Sequence, residues 1–199
     1  MSKNPVYISR RNFLKVGAFT AAMATLCVPA FAPSDEENCF RKITAQRDTQ
    51  YGPVQGVDQG DSLVWYGIPY GAAPVGDLRW QAPQDPAAWS DVKDCTQVSP
   101  VAYQYSSGPI GTEDCLKLDV YTTPNAHKLP VLVFIHGGNN QTGNTKEILG
   151  SELVVRDNCV FVTIDYRLGL FGFNCLPALH RGSDDTGNFT LLDIAKALD

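Results

Sequence analysis

Val131-Leu132-Val133-Phe134-Ile135-His136-Gly137-Gly138-Asn139 is the stretch whose reading decides the fold of this chain. Five apolar residues run without a break, three of them β-branched, as in strands buried on both faces of a parallel sheet. The run stops at His136, and two glycines follow, where a backbone can turn tightly and approach a ligand closely. A second run of the same kind is Cys159-Val160-Phe161-Val162-Thr163-Ile164. Between the two, residues 146–156 show helical spacing in Ile148, Leu149, Leu153 and Val154, and Leu191, Leu192, Ile194, Ala195 and Leu198 begin another helix. Strand, helix, strand, helix predicts an α/β fold whose central sheet is mainly parallel, with right-handed crossovers.

Towards the N-terminus the pattern changes. Leu116-Lys117-Leu118-Asp119-Val120-Tyr121 alternates as a strand does, and residues 71–113 are rich in Pro, Gly, Asp and Ser and read as a long irregular stretch. Residues 43–70 alternate apolar and polar positions around Gly52, Gly56 and Gly60, which predicts two or three short antiparallel strands. Residues 33–38 form a short polar linker, and no internal repeat is present.

The first 32 residues read as a targeting segment rather than as part of the fold. Ser9-Arg10-Arg11-Asn12-Phe13-Leu14-Lys15 matches the twin-arginine export motif, a weakly apolar run follows, and Ala30-Phe31-Ala32 offers a small-x-small cleavage pattern. An uncleaved anchor is the competing reading. The run is short for a span of ~20 residues and rich in Ala, Gly and Thr, which favours cleavage near Ala32. Residues 33–199 are then the mature portion, delivered by the twin-arginine machinery to the periplasm or the medium of a bacterium.

Charge supports the division. The whole chain of 199 residues carries a formal −5, but residues 1–32 hold Lys3, Arg10, Arg11 and Lys15 and no acid. The remainder has twelve basic against 21 acidic side chains, a net −9. That balance excludes a nucleic-acid or anionic-membrane surface, since both need a basic face. Five cysteines follow residue 32, namely Cys39, Cys95, Cys115, Cys159 and Cys175, an odd number with no Cys-x-x-Cys among them. Export places them where disulfides persist. The three histidines are scattered, so a metal site has no support in the sequence.

His136-Gly137-Gly138-Asn139 is the sharpest chemical feature. Two adjacent backbone N–H groups aimed at one point stabilise the oxyanion of an acyl-transfer intermediate, and one such donor is worth ~3–4 kcal/mol in the transition state. On these four residues alone, an ordinary Gly-Gly turn leaving a strand is the commoner explanation.

Context changes the balance. Gly67-Ile68-Pro69-Tyr70-Gly71, Pro74-Val75-Gly76 with Leu78-Arg79-Trp80, and Glu113-Asp114-Cys115-Leu116-Lys117-Leu118-Asp119-Val120 precede the loop. Phe134-Ile135-His136-Gly137-Gly138, Asp165-Tyr166-Arg167-Leu168-Gly169, Phe171-Gly172-Phe173, and Gly187-Asn188-Phe189 with Leu191-Leu192-Asp193 complete the series. Seven segments in this order resemble the type B carboxylesterases, the cholinesterase-like family, over nearly the whole of residues 33–199. The resemblance implies the N-terminal part of an α/β-hydrolase fold, with the oxyanion loop after a core strand. It assigns the oxyanion N–H groups to Gly138 and Asn139, and a supporting role to His136 and Gly137. Asn139 departs from the glycine usual in relatives: its N–H survives, but a side chain now stands at the pocket wall. The resemblance also implies a disulfide between Cys95 and Cys115, and two structural ion pairs, Arg79 with Glu113 and Arg167 with Asp193. It implies a small-molecule ester as substrate and no cofactor.

One element of the chemistry lies elsewhere. Hydrolases of this fold carry the nucleophile in Gly-x-Ser-x-Gly, followed by the acid and the His. No Gly-x-Ser-x-Gly occurs in residues 1–199, and neither His127, His136 nor His180 can be the base in that order. The expectation is therefore half an active site: a serine carboxylesterase by resemblance, in a chain without its nucleophile and inactive alone. The alternatives are a non-catalytic cholinesterase-like binding or adhesion protein and a truncated pseudogene product.

Overall fold

The computed structural model describes residues 45–179 and 187–199. The export motif, the cleavage site, Cys39 and His180 lie outside the described residues.

The first strands are short: β1 (Gln46–Asp48), β2 (Pro53–Gln55), β3 (Val57–Asp58) and β4 (Leu63–Pro69). β1 pairs antiparallel with β2 and β3 with β4, the antiparallel hairpins the sequence predicts. Within residues 71–113 lie β5 (Lys93–Asp94), which adds to β2 in parallel, and a small ribbon of β6 (Gln104–Tyr105) and β7 (Pro109–Ile110). β8 (Lys117–Thr122), β9 (Val131–Ile135) and β10 (Val160–Ile164) complete a five-stranded sheet in the order β3-β4-β8-β10-β9. Only β9 and β10 run parallel; β8 is antiparallel to β10 and to β4, so the sheet is mixed.

β9 differs from the expectation of a strand buried on both faces. It is the sheet's edge, with Val131 62%, Leu132 48% and Ile135 46% exposed. Its sequence has the composition of an interior strand, but no described residue covers its outer flank.

The helix predicted over 146–156 is split. Residues Thr145–Glu147 make a single 3-10 turn, and α1 (Ser151–Asp157) begins only after Gly150. A Cβ on Gly150 would lie 2.4 Å from the Phe161 ring and 2.6 Å from that of Tyr121, so the chain crosses the sheet there at a distance only glycine allows. Ile148 and Leu149, two of the four residues with helical spacing, lie before the helix and are exposed. A one-turn helix, α2 (Gly169–Gly172), and α3 (Phe189–Leu198) follow β10.

The two faces of the sheet are filled by alternate residues of its strands. α1 brings Val154 and Leu153 onto Val64, Tyr121, Phe161 and Phe134 on one face. On the other, Ile194 and Ala197 of α3 pack with Leu118, Val162, Val133 and Ile164. Side chains such as Phe161 and Ile164, 2% and 0% exposed, contribute roughly 1.5–3 kcal/mol each by burial.

The disulfide expected between Cys95 and Cys115 is not formed. Both are free thiols in different parts of the core. Cys95 sits with Ala45, Val54, Leu63 and Trp65, its backbone held between β2 and β4. Cys115 sits with Tyr70, Ala102 and Leu116. Burial pushes the Cys95 thiol up to about 11 and Cys115 higher still, so neither presents a thiolate at neutral pH. Cys159 is a buried thiol, as its place beside a core strand predicts. No helix among the described residues is long and apolar enough to cross a membrane.

Candidate active site

The loop that leaves β9 carries the predicted donors. Gly138 has φ +103° and Asn139 and Asn140 have φ +55° and +59°. A Cβ on Gly138 would stand 2.0 Å from the Thr142 carbonyl oxygen, so only glycine fits. Asparagine tolerates the left-handed region better than other side-chain-bearing residues, which explains how Asn139 is accommodated at a position of this shape. Residues 137–140 are exposed. The Gly138 carbonyl accepts from the N–H groups of Gln141 and Thr142, at 3.0 and 3.1 Å, which closes the turn. Among the described residues the N–H groups of Gly138 and Asn139 have no acceptor, and successive amides in such a turn form a concavity that binds anions.

Four attachments hold this loop in place. The Tyr166 hydroxyl donates to the His136 carbonyl, and its ring stacks on the imidazole at 4.2 Å with an interplanar angle of 8°. The Gly169 N–H donates to the Asn140 carbonyl at 2.7 Å. The buried Gln104 carboxamide takes both backbone groups of Gly143, donating to its carbonyl at 2.9 Å and accepting from its N–H at 3.0 Å. The Thr145 N–H donates to Asp165 Oδ1 at 3.0 Å. Gln104, Asp165 and Tyr166 are therefore site residues that sequence reading missed. Asp165 and Tyr166 stand inside a quoted family segment; Gln104 carries no such signal.

His136 is buried at the root of the loop and only partly satisfied. Its Nδ1 lies 2.9 Å from the Gly137 carbonyl, which makes Nδ1 the N–H and Nε2 the bare nitrogen. Nε2 is buried without a hydrogen-bond partner, 3.8 Å from Asp165 Oδ1. Burial lowers the affinity of this imidazole for a second proton, so it is neutral at pH 7.

The predicted ion pairs are both present. Arg167 grips Asp193 through Nε at 2.8 Å and Nη2 at 2.6 Å, adds its own backbone N–H at 3.1 Å, and gives Nη1 to the Gln81 carbonyl. Both side chains are buried, so the strand exit after β10 is tied to α3. Arg79 forms two bonds to Glu113, at 2.5 and 2.6 Å, and lies over the rings of Trp80 and Phe171. That second pair is partly exposed, and residues 79–80 are held to α2 by the Trp80 indole N–H, which donates to the Leu170 carbonyl at 2.9 Å, and by Arg79 over the Phe171 ring. No group of three or more His, Cys, Asp or Glu side chains among the described residues is placed to hold a metal ion.

A mixed sheet sandwiched by crossover helices, with a donor-bearing turn at the end of β9, defines a segment of an α/β-hydrolase. The chain belongs to the carboxylesterase family, whose model matches residues 44–199. It is 40% identical to the para-nitrobenzyl esterase of Bacillus subtilis over 161 residues, 75% of this chain and 32% of that enzyme. It is 35% identical to the fumonisin B1 esterase of Sphingopyxis macrogoltabida over 192 residues, 90% of this chain and 34% of that enzyme. A solved para-nitrobenzyl esterase structure superposes with a TM-score of 0.71 at 40% identity, covering 77% of this chain and 33% of its own. The chain thus spans about a third of the length of these relatives.

Proposed function

We propose that residues 136–145 form the oxyanion half of a carboxylic ester hydrolase site that works through a serine acyl-enzyme. The observation that carries this reading is the pair of exposed, unpartnered N–H groups of Gly138 and Asn139 in left-handed backbone. The donors would stabilise the negative charge that develops on the substrate carbonyl oxygen, in backbone set before the substrate arrives. Neutral His136 is buried beneath the loop and serves as its support, leaving proton transfer to groups outside residues 1–199. Asn139 would narrow the acyl or alcohol pocket relative to a glycine, favouring small esters.

The 199-residue chain then has no covalent step of its own. Purified, it is expected to hydrolyse a short-chain aryl ester no faster than a heat-killed control. Turnover that vanishes on Asn139→Pro, which removes the N–H, would place the nucleophile within these residues and overturn the reading. A non-catalytic binding protein on the same fold is separated by the codons after Asp199. A Gly-x-Ser-x-Gly turn there supports the enzyme, and its replacement supports the binder. We further propose that the product is exported through the twin-arginine route and cleaved near Ala32. Replacing Arg10 and Arg11 with Lys should leave precursor in the cytoplasm, and unchanged delivery to the periplasm would remove that route.

A further inference from the structure

We propose that Asp165 is a positioning residue for the loop at 136–145 and works as the neutral acid, its proton shared with Asp119 and with Nε2 of His136. The inference rests on the oxyanion reading only for what the device controls.

The geometry follows from strand register. Asp119 of β8 lies opposite Thr163 of β10, and Asp165 follows Thr163 by two residues. In a pleated strand these three side chains share one face, with Asp119 and Asp165 as diagonal neighbours ~7 Å apart between backbones. Thr163 pairs with Phe134 of β9, and continuing that parallel register brings His136 beside Asp165. Asp119, Thr163, His136 and Asp165 are all buried on that face, beneath the loop.

Two buried carboxyls have been placed together with no cation bonded to either; the charge of exposed Lys146 acts on both from a distance and the Thr145 hydroxyl faces both, each favouring the ionised form. Around them, Lys117 of β8 is engaged by Asp114, Lys146 and Glu147 of the 3-10 turn are exposed, and Tyr66, Tyr121 and Tyr166 are hydroxyls that stay protonated. Two carboxylates this close in a dry setting do not both ionise readily. The unsatisfied atoms say where the proton goes. Asp119 Oδ2 and His136 Nε2 are buried acceptors without a donor. Asp165 as an acid supplies one O–H between them, while its Oδ1 still accepts the Thr145 N–H. Burial raises both carboxyls, and Asp119 is the better candidate for the anion because the backbone N–H on it is the closer, Gly67 at 2.8 Å against Thr145 at 3.0 Å on Asp165. In keeping with this, burial and the charge of Asp119 raise the Asp165 carboxyl to about 7. Loss of the proton to solvent leaves two carboxylates facing each other under Thr145, and the loop's C-terminal attachment loosens.

Linkage gives the sign. The seated loop binds one proton that the released loop, with an ordinary carboxyl near 3.8, does not. Seating is therefore complete at low pH, weakens as pH rises towards 7, and changes no further above. Hydrogen exchange and carbon-detected carboxyl shifts on the full 199-residue chain, from about pH 5 to pH 9, read this without any turnover. Protection of the Gly143 and Thr145 amides, corrected for intrinsic exchange, is expected to fall by up to about tenfold per pH unit below 7 and then level off. The Asp165 carboxyl carbon should titrate with the same midpoint. Asp165→Asn keeps the Thr145 acceptor and should hold high protection across the range, and Asp119→Asn should lower the midpoint by about a unit or more. Protection that is flat in the unmodified chain overturns the proposal. So does a transition that persists in Asp165→Asn, which would belong to His136. If Asp165→Asn does not fold, the carboxyl carbon of the unmodified chain decides alone. Exchange and carboxyl shifts are read without substrate, so their outcome stands apart from whether the N–H groups of Gly138 and Asn139 serve an oxyanion, and failure of this proposal is separated from failure of the functional reading.

Discussion

The two faces of the central sheet solve the same problem in opposite ways. On the face covered by α3, the charged groups at the strand exit are fully matched: Arg167 donates four hydrogen bonds, three of them to Asp193. On the face beneath the 136–145 loop and α1, four of the buried side-chain polar atoms have no partner, on Asp119, Tyr121, Thr163 and His136. The first face is built for stability. The second gives up hydrogen-bond satisfaction beneath the segment that carries the donor amides. The lesson is that a buried polar group is informative when it is unmatched, because a protein interior normally satisfies such groups.

Breaking the matched face should have the largest effect. Arg167→Met leaves Asp193 buried without its partner and removes the tie between the exit of β10 and α3. A loss of about 3–5 kcal/mol in urea-induced unfolding is expected, and a loss below 1 kcal/mol would mean that the two faces are not as different as their bonding indicates. Gln104→Leu comes next. It strands the N–H and carbonyl of Gly143 together, and a loss of about 1–3 kcal/mol is expected, with the exchange of residues 138–145 accelerated more than that of β8.

On the unmatched face the sign reverses. A carboxyl raised to about 7 contributes stability that is complete below its ordinary range near 3.8 and lost as pH climbs to 7. Asp165→Asn should therefore be at least as stable as the unmodified chain at pH 8, gaining about 1–2 kcal/mol, and should flatten the pH dependence of unfolding between 4 and 7. Destabilisation at pH 8 would show that the carboxylate is needed and would place this face with the other. Arg79→Lys, at a half-exposed pair, should change stability by less than about 1 kcal/mol, with the loss concentrated in the two-point geometry that Lys cannot reproduce. Smallest of all is the effect of reductant. With Cys95 and Cys115 as free buried thiols, dithiothreitol should leave the unfolding midpoint unchanged, and a downward shift would restore the cross-link.

The sequence by itself determined the strands, the loop after β9 and the two ion pairs. Continuous apolar runs mark strands because β-branched and aromatic residues suit extended backbone, but not what covers them: β9 has the composition of an interior strand and lies at the sheet's edge. It also determined the family, because seven short segments in fixed order are hard to match by accident. Tertiary structure decided the rest. The helix over 146–156 breaks because Gly150 meets the rings of Tyr121 and Phe161, residues 29 and 11 positions away in sequence. Cys95 and Cys115 share a plausible spacing and stand in different core clusters, since spacing bounds a loop's reach but not which layer each end enters. The clamp by Gln104 on Gly143 joins segments 39 residues apart. The seat of Asp119, Asp165 and His136 exists only through the register of three strands. A carboxyl's proton affinity depends on what the folded chain puts beside it, and pairing across strands is long-range information that no local pattern carries.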